Sequence, residues 1–567
     1  MPQDAFTLRY LCQELNTVFA DGKVNRIVQP DNDQLVFTVY TNEKRTQKLL
    51  LSVNPASPRI GVLSGEVDSP LTAPNFCMLM RKHLLSSTLL GIQLIGFDRI
   101  VKIDFLTSGE FKDAEIKSVY VELMGRYSNV ILTQNGKILG GNRGINMFDN
   151  GVRPLIVGMP YVFPPVGDKK VPNDNALISC FNQNQNEEIA NLITKKVQGV
   201  ALSTAKEIEK EFITKYKNSE DFGANLFNAL NDYLYNTRAR PCVFVQKSQV
   251  VDVCVYPYET INQEPLFFDF LYQAEEYYFC QKDAQKRYQN KRERLLNLTN
   301  SAIKKAKKRL TAINSKQKDA LCSEDNKLKG ELLLANLYRL KDGQSECILE
   351  NYYDGTQVKI QLDQNLSITQ NAENYYKKYN KQKRTLTALE PQRKMAESEL
   401  NYFLSVSDEV LLAETFDELL LVQLELENAG LIVQKQVNQN KKKSTSFCRE
   451  YCVDGFTVLV GRNNAENDKL TFTSAPNDVW VHVKDYHSSH VIIQARGKVV
   501  PEKVILTACE ICAYYSKGRE GGKTDVVYTN KKNVKKPPKS KPGFCIYENF
   551  RSIVVKPEKH AEFLKSE

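Results

Sequence analysis

The sequence predicts a multidomain α+β protein with four parts. These are a β-rich N-terminal domain, a helical domain with a helix-hairpin-helix, an antiparallel coiled-coil arm and a C-terminal α+β domain. Three observations carry this. The chain has 567 residues, more than one hydrophobic core normally serves. Its apolar pattern changes period, from strand-like alternation before residue 170 to a heptad between residues 296 and 403. A polar stretch, Val433 to Ser446, then separates the heptads from a last region that alternates again.

In residues 1–170, VNRIVQPDNDQLVFTVYT and QKLLLSVNPASPRIGVL alternate between Gly, Pro and Asn turn signals and read as strands. FCMLMRKHLLSSTLLGI reads as one amphipathic helix, with Phe76, Leu79, His83 and Leu84 near one face. IQLIGFDRIVKIDFL, SVYVELMGRYSNVILT and GKILGG return to strand patterns. Residues 171–271 read as mainly helical, with Gly199 in a turn before a helix started by Ser203, compatible with a helix-hairpin-helix. Residues 272–433 hold two heptad series. Leu296, Thr299, Ile303, Ala306, Leu310, Ile313, Gln317 and Ala320 form the first. Tyr375, Tyr379, Gln382, Leu386, Leu389, Arg393, Ala396, Leu400 and Phe403 form the second. A short β-like insert lies between them, so an antiparallel arm is expected, with a local break at Pro391. Residues 447–567 begin with strands (FTVLVG, KLTFTS, VWVHV, SHVIIQARG), continue with the helix PEKVILTACEICAYYSKG and end in DVVYT and SIVVKP.

Hydrophobic residues make up 42% and charged residues 25%, the balance of a soluble globular protein. No apolar run approaches the roughly 18–20 residues needed to span a bilayer, so no membrane partner is expected. The N-terminal stretch has Asp4 and no cationic start before an apolar block, and it does not read as a secretory signal. Thirteen scattered cysteines then suggest reduced thiols and a cytoplasmic protein. The 77 basic and 67 acidic residues are unevenly placed. Lys282 to Arg309 holds eleven basic against two acidic residues, and Lys517 to Lys541 nine against two. Such clusters fit either solvated faces or a polyanionic partner.

The most informative stretch is DVWVHVKDYHSSHVIIQARG, which carries the only tryptophan, Trp480, and three of the five histidines. Zinc would need four converging ligands. His482 alternates away from Val481 and Val483, while Cys509 and Cys512 fall inside an apolar helix and read as packed thiols. No metal and no cofactor are expected. No nucleophile elbow, phosphate loop or HExxH appears, and GREGGK lacks the Walker spacing. A glycosylase using an N-terminal proline fails at Gln3, where its essential acid would stand. No catalytic residue is therefore assigned. RNA binding remains: Trp480, His482 and Lys484 lie on one side of a strand, an arrangement able to stack bases and meet phosphates. A core tryptophan is the alternative.

Several stretches together resemble the NFACT family in its bacterial form. GRNNAENDKLT followed by DVWVHVKDYHSSHVII resembles its RNA-binding module. NFCMLMRKHL, IGFDRIV and ELMGRYSNVIL resemble its N-terminal domain, and GELLLANLY with NAENYYKKYNKQK its coiled-coil region. The resemblance implies a ribosome-associated quality control factor without catalytic groups of its own. It would bind the large ribosomal subunit carrying peptidyl-tRNA with its nascent chain, and recruit tRNA, chiefly alanyl-tRNA, for template-free C-terminal tailing. It would act as a monomer.

The resemblance places tRNA contacts at Asp98, Arg99, Glu122, Arg126 and Asn129. An arginine can read a base edge or phosphate bidentately beside an orienting carboxylate. On the residues alone, an intramolecular salt bridge from Asp98 or Glu122 to an arginine is the favoured reading. RNA contacts in the C-terminal module are expected at Arg462, Asn463, Asn464, Trp480, His482, Lys484, Ser489, His490, Lys517 and Lys523. One departure stands out: the family's usual Pro-Gly turn is His487-Ser488 here, so a remodelled turn is expected. A cell-surface fibronectin-binding adhesin, a description the family has carried, is the alternative function.

Overall fold

The computed structural model describes residues 3–67, 69–70, 72–108, 113–143, 153–216, 221–246, 249–321, 323–432, 448–538 and 540–565. The chain divides into two compact units, Met1–Gln285 and Lys286–Glu567.

The first unit opens with a helix, α1 (Ala5–Phe19), within the region read as strand-rich. The Asp4 carboxylate accepts from the Thr7 N–H at 2.9 Å and caps it. Leu8, Leu11, Leu15 and Phe19 form its buried stripe. The strands β1 (Gly22–Asp31), β2 (Gln34–Tyr40), β3 (Thr46–Ser52) and β4 (Arg59–Val62) follow. After α2 (Asn75–Leu84) come β5 (Thr88–Leu94), β6 (Ile100–Ser108), β7 (Ala114–Glu122), β8 (Asn129–Gln134) and β9 (Lys137–Gly141). They form one antiparallel sheet in the order β4-β3-β2-β1-β5-β6-β7-β8-β9. The helix expected to continue to Ile92 ends at Leu84: Ser86 turns left-handed at φ 65°, and Thr88 to Leu94 pair as β5.

Four helices complete the same core: α3 (Ala176–Gln183), α4 (Ile189–Lys196), α5 (Leu202–Tyr216) and α6 (Phe222–Asn236). Gly199, with φ +75°, makes the α4–α5 turn, and its carbonyl accepts from the Ala5 N–H. A Cβ there would stand 2.3 Å from the Phe97 carbonyl oxygen, so only glycine fits. The helical reading of residues 171–271 leaves out three strands, β10 (Cys242–Gln246), β11 (Gln249–Cys254) and β12 (Pro265–Phe267), which form a small sheet.

The helix α7 (Leu271–Leu321) leads into the second unit, followed by α8 (Ser323–Ala335). The expected insert is a hairpin of β13 (Glu346–Glu350) and β14 (Gln357–Gln361). Next come α9 (Ile368–Leu412) and α10 (Phe416–Asn428). Helices α7 and α9 run antiparallel: Arg309 pairs with Glu399 at 3.1 Å, and the Gln382 amide donates to the Asp319 carbonyl at 3.2 Å. Of the heptad residues, Thr299, Ile303, Ala306, Ile313, Ala320, Leu389, Ala396 and Phe403 are buried. Helix α9 does not end at Pro391 but continues through it. Both Pro391 and Thr387, whose carbonyl loses its helical donor, are exposed, so water can take the donor's place. The linker expected at residues 433–446 lies outside the described residues.

The C-terminal module contains β15 (Arg449–Val453), β16 (Phe456–Val460), α11 (Asn464–Thr473), β17 (Val479–Val483), β18 (Val491–Ile493) and α12 (Glu502–Tyr514). It ends with β19 (Thr524–Asn530), β20 (Val534–Lys535), β21 (Ile546–Tyr547) and β22 (Arg551–Val555). The main sheet is antiparallel, in the order β15-β16-β18-β17-β19-β22. KLTFTS, expected as a strand, belongs to α11, because the Asn463 carboxamide accepts from the Glu466 N–H and starts a helix. Helix α12 covers one face of the sheet, while α11 and the short β20–β21 hairpin cover the other.

Candidate nucleic-acid interface

In the first unit, two neighbouring turns gather the expected tRNA residues. Asp98 and Arg99 sit in the β5–β6 turn; Arg126 sits in the β7–β8 turn, which runs from Glu122 to Asn129. Ile100 pairs with Glu122 across the sheet, and the Leu123 N–H donates to the Arg99 carbonyl at 2.9 Å. Asp98 is half-buried and holds the first turn in shape. Its carboxylate accepts from the Arg99 N–H at 2.7 Å and from the Gln198 amide at 3.0 Å. The glycine turn at Gly199 thus braces the Asp98–Arg99 turn from behind.

Two of the expected contacts are turned inward. Glu122 is buried and accepts from Arg153 at 2.6 Å on both oxygens and from the Tyr161 hydroxyl at 2.8 Å. Asn129 is buried too. Its amide donates to the Arg143 carbonyl, and its oxygen accepts from the Val130 and Arg143 N–H groups, all at 2.9 Å. Both therefore anchor neighbouring segments, and their polar groups are already satisfied. Arg126 points outward. Its guanidinium lies 4.7 Å from the ring centroid of Tyr127, which is 68% exposed. Tyr127 is not among the expected contacts, although an aromatic next to Arg126 in a turn is the signal that finds it.

In the C-terminal module the structure corrects the expected platform. Trp480 is fully buried, in a cluster with Leu470, Ile492, Val527 and Val534. Alternation places it on the correct side of β17, but a second layer covers that side. His490 is buried, its N–H donating to the Asn467 carboxamide at 3.0 Å and its Nδ1 lying 2.7 Å from the Thr471 hydroxyl. The His482 ring stacks parallel to Trp480 at 5.4 Å, with Nδ1 shut off from solvent and unpartnered. Burial pushes the His482 imidazole down to about 4 and His490 well below its usual range.

Arg462 is ion-paired with Glu466 at 2.9 Å, Asn463 caps α11, and the Asn464 amide donates to Ser405 at 3.0 Å and Glu425 at 3.1 Å. All three have structural duties. Lys484 stands 3.5 Å from Asp525 and Lys517 3.6 Å from Asp408, both with solvent access; Lys523 is exposed and Ser489 half-buried. The His487-Ser488 turn does not need a left-handed Ser488. Asp485 takes the left-handed conformation at φ 64°, and the Ser488 hydroxyl accepts from the Val483 N–H at 3.1 Å.

Cys509 and Cys512 lie on the buried side of α12, in the module's core, where burial pushes the Cys512 thiol up to about 12. The grouping of possible ligands among the described residues is elsewhere, at Glu510, Glu558 and His560. No helix of the described residues is long and apolar enough to cross a membrane.

This architecture, a wide antiparallel sheet with a braced Asp-Arg turn, a paired-helix arm and an α+β module, defines a class. Residues 4–445 match the NFACT N-terminal and middle domains, and residues 446–545 match the NFACT protein RNA binding domain. The chain belongs to the NFACT family. It is 29% identical over 565 residues to Rqc2 homolog RqcH of Bacillus subtilis, covering 97% of this chain and 96% of the relative. It is 28% identical over 570 residues to Rqc2 homolog RqcH of Streptococcus pneumoniae, covering 98% of each. An archaeal Rqc2 homolog from Methanocaldococcus jannaschii is 26% identical over 335 residues, 56% of this chain and 47% of the relative. Among solved structures, the C-terminal part of the fibronectin/fibrinogen-binding protein of Streptococcus suis is similar at 26% identity and a TM-score of 0.40. It covers 49% of this chain and 100% of that one.

Proposed function

We propose that this chain is a ribosome-associated quality control factor of the cytoplasm. It binds large ribosomal subunits that carry a peptidyl-tRNA and recruits tRNA, chiefly alanyl-tRNA, so that the nascent chain gains an untemplated C-terminal tail. The observation that carries this reading is the end-to-end relation to proteins named Rqc2 homolog RqcH, over 97% and 98% of this chain. The chain acts as a monomer that holds and positions RNA, and the ribosome forms the peptide bond. The Asp98–Arg99 turn, with the exposed Arg126 and Tyr127 beside it, supplies a cation, a carboxylate and an aromatic face of the kinds that grip an unpaired loop. The eleven basic residues from Lys282 to Arg309 supply counter-charge for a polyanion.

The test is to sediment lysate carrying the tagged chain and to sequence the RNA that co-purifies. Co-migration with large subunits and enrichment of one tRNA class are expected. A chain found only in the cell envelope, with no tRNA, would favour the adhesin.

A further inference from the structure

We propose that the outer face of the β20–β21 hairpin is a stacking platform for unpaired RNA bases, in place of the buried Trp480. This rests on the RNA-binding reading of the module and names the surface that does it. The hairpin has two sides. Val534 pairs with Tyr547, and both turn inward: Val534 lies in the Trp480 cluster, and the Tyr547 ring packs 5.2 Å from Trp480. Lys535 pairs with Ile546, and both turn outward. Phe544, two residues before Ile546, and Phe550, which stands edge-on to Tyr547 at 5.3 Å, add exposed rings next to the hairpin. Phe544 is 52% exposed, and Ile546 and Phe550 are 46% exposed.

Three large apolar side chains half exposed within seven residues are a liability in water unless something covers them. Charge identifies the cover. Residues 531–551 contain seven Lys or Arg and one acidic residue, Glu548. Glu548 already faces Lys535 at 3.6 Å. Exposed aromatic rings in a lysine-rich segment match a strand of unpaired nucleotides, whose bases stack while lysines meet phosphates. Lys536 is likewise paired, with Asp468; a purely apolar protein partner would leave the lysines outside these two pairs desolvated and unmatched. Ile546, Phe550 and Arg551 also lie beyond the residues matched by the RNA-binding family model.

The experiment uses the full chain, with a fluorescent oligouridylate and a fluorescent RNA duplex as probes in a salt titration. Phe544→Ala/Phe550→Ala should weaken oligouridylate binding about tenfold or more while leaving the duplex and the salt slope unchanged. Phe544→Tyr/Phe550→Tyr, which keeps the rings, should bind like the parent. Lys532→Ala/Lys535→Ala should flatten the salt slope by about 0.7 for each phosphate no longer neutralised. Photocrosslinking of thiouridine RNA should leave adducts on the peptide from Pro542 to Arg551. Unchanged oligouridylate affinity in the alanine variant, or adducts confined to other peptides, would overturn the platform. A parent chain that binds neither RNA would overturn the RNA reading of the module as well and leave the hairpin to a protein partner.

Discussion

Trp480 shows what one residue's surroundings decide. Its alternation with Val479 and Val481 is legible in the sequence and gives the correct side of the strand. The covering layer is not legible, because it comes from α11 and from a hairpin more than fifty residues later. The same holds for His490 and for the Arg462–Asn464 run: their polar types suggest a surface, whereas Glu466, Ser405, Glu425, Asn467 and Thr471 satisfy them inside the fold. Asp98 and Arg99 stand out through the family motif, but their bracing by Gln198 is a long-range contact no local pattern encodes. Trp480→Ala should therefore destabilise the chain by about 3–5 kcal/mol, while the exposed Lys523→Ala should stay within about 0.5 kcal/mol. Urea unfolding checks both, and an unaltered midpoint for Trp480→Ala would contradict the burial.

Protonation gives a second residue-scale prediction. His482 and His490 are held neutral by burial, His482 down to about 4. A base whose folded value lies below its unfolded one of 6.5 contributes stability that is full above that value. That contribution is lost as pH falls from about 6.5 towards about 4. At His560 burial works downward, but hydrogen bonds with Glu510 and Glu562 and the charge of Glu558 leave it raised. Labelled-histidine NMR should show His482 and His490 still neutral at pH 5.5 and His560 titrating above the ordinary histidine range. A signal from His482 that titrates near 6.5 would show the cluster open to water.

At the scale of elements, periodicity is the reliable guide. The two heptad series predict α7 and α9, and the short insert between them predicts their antiparallel packing, because a short connection cannot return the chain for parallel pairing. Helix α1 is equally legible, with Asp4 as cap and Leu8, Leu11 and Leu15 as stripe, although the strand-rich reading of residues 1–170 leaves it out. Helix α11 is not legible, because Leu470, Phe472 and the threonines alternate like a strand and only the Asn463 cap says otherwise. A helix end at Pro391 would follow the intrinsic preference of proline, and exposure of the site lets α9 run on through it. Pro391→Ala should restore one backbone hydrogen bond and stabilise the arm by roughly 1–3 kcal/mol, read as a higher thermal midpoint. A lower midpoint would mean that the proline sets a bend the arm requires.

For the molecule as a whole, the second unit explains where the arm can be cut. Tyr402, Phe403 and Leu295 pack with Val406, Val410 and Val422 at the arm's base, so a deletion reaching Phe403 would breach that cluster. Removing residues 314–388 spares it. The C-terminal module is clamped to the same base by Arg449–Glu418 and Lys559–Glu414 ion pairs, each at 2.6 Å. The shortened chain should keep its fold by circular dichroism and lose co-sedimentation with large subunits. Undiminished co-sedimentation would remove the arm from the ribosome-binding surface.

The central claim, that this chain positions tRNA through the Asp98–Arg99 turn, is tested most directly by Asp98→Ala/Arg99→Ala. The change removes one charge of each sign, so the bulk attraction to RNA, which follows the number of phosphates neutralised, is little altered. Without a bidentate pairing, specific capture weakens by on the order of 1–3 kcal/mol, roughly ten- to a hundredfold. The measurement is tRNA occupancy of purified chain–subunit complexes, by sequencing, for the parent and the double variant at equal subunit loading. The account predicts equal sedimentation with large subunits and a tRNA occupancy reduced at least tenfold; a double variant with the parent's occupancy would make the turn a structural feature and contradict the claim.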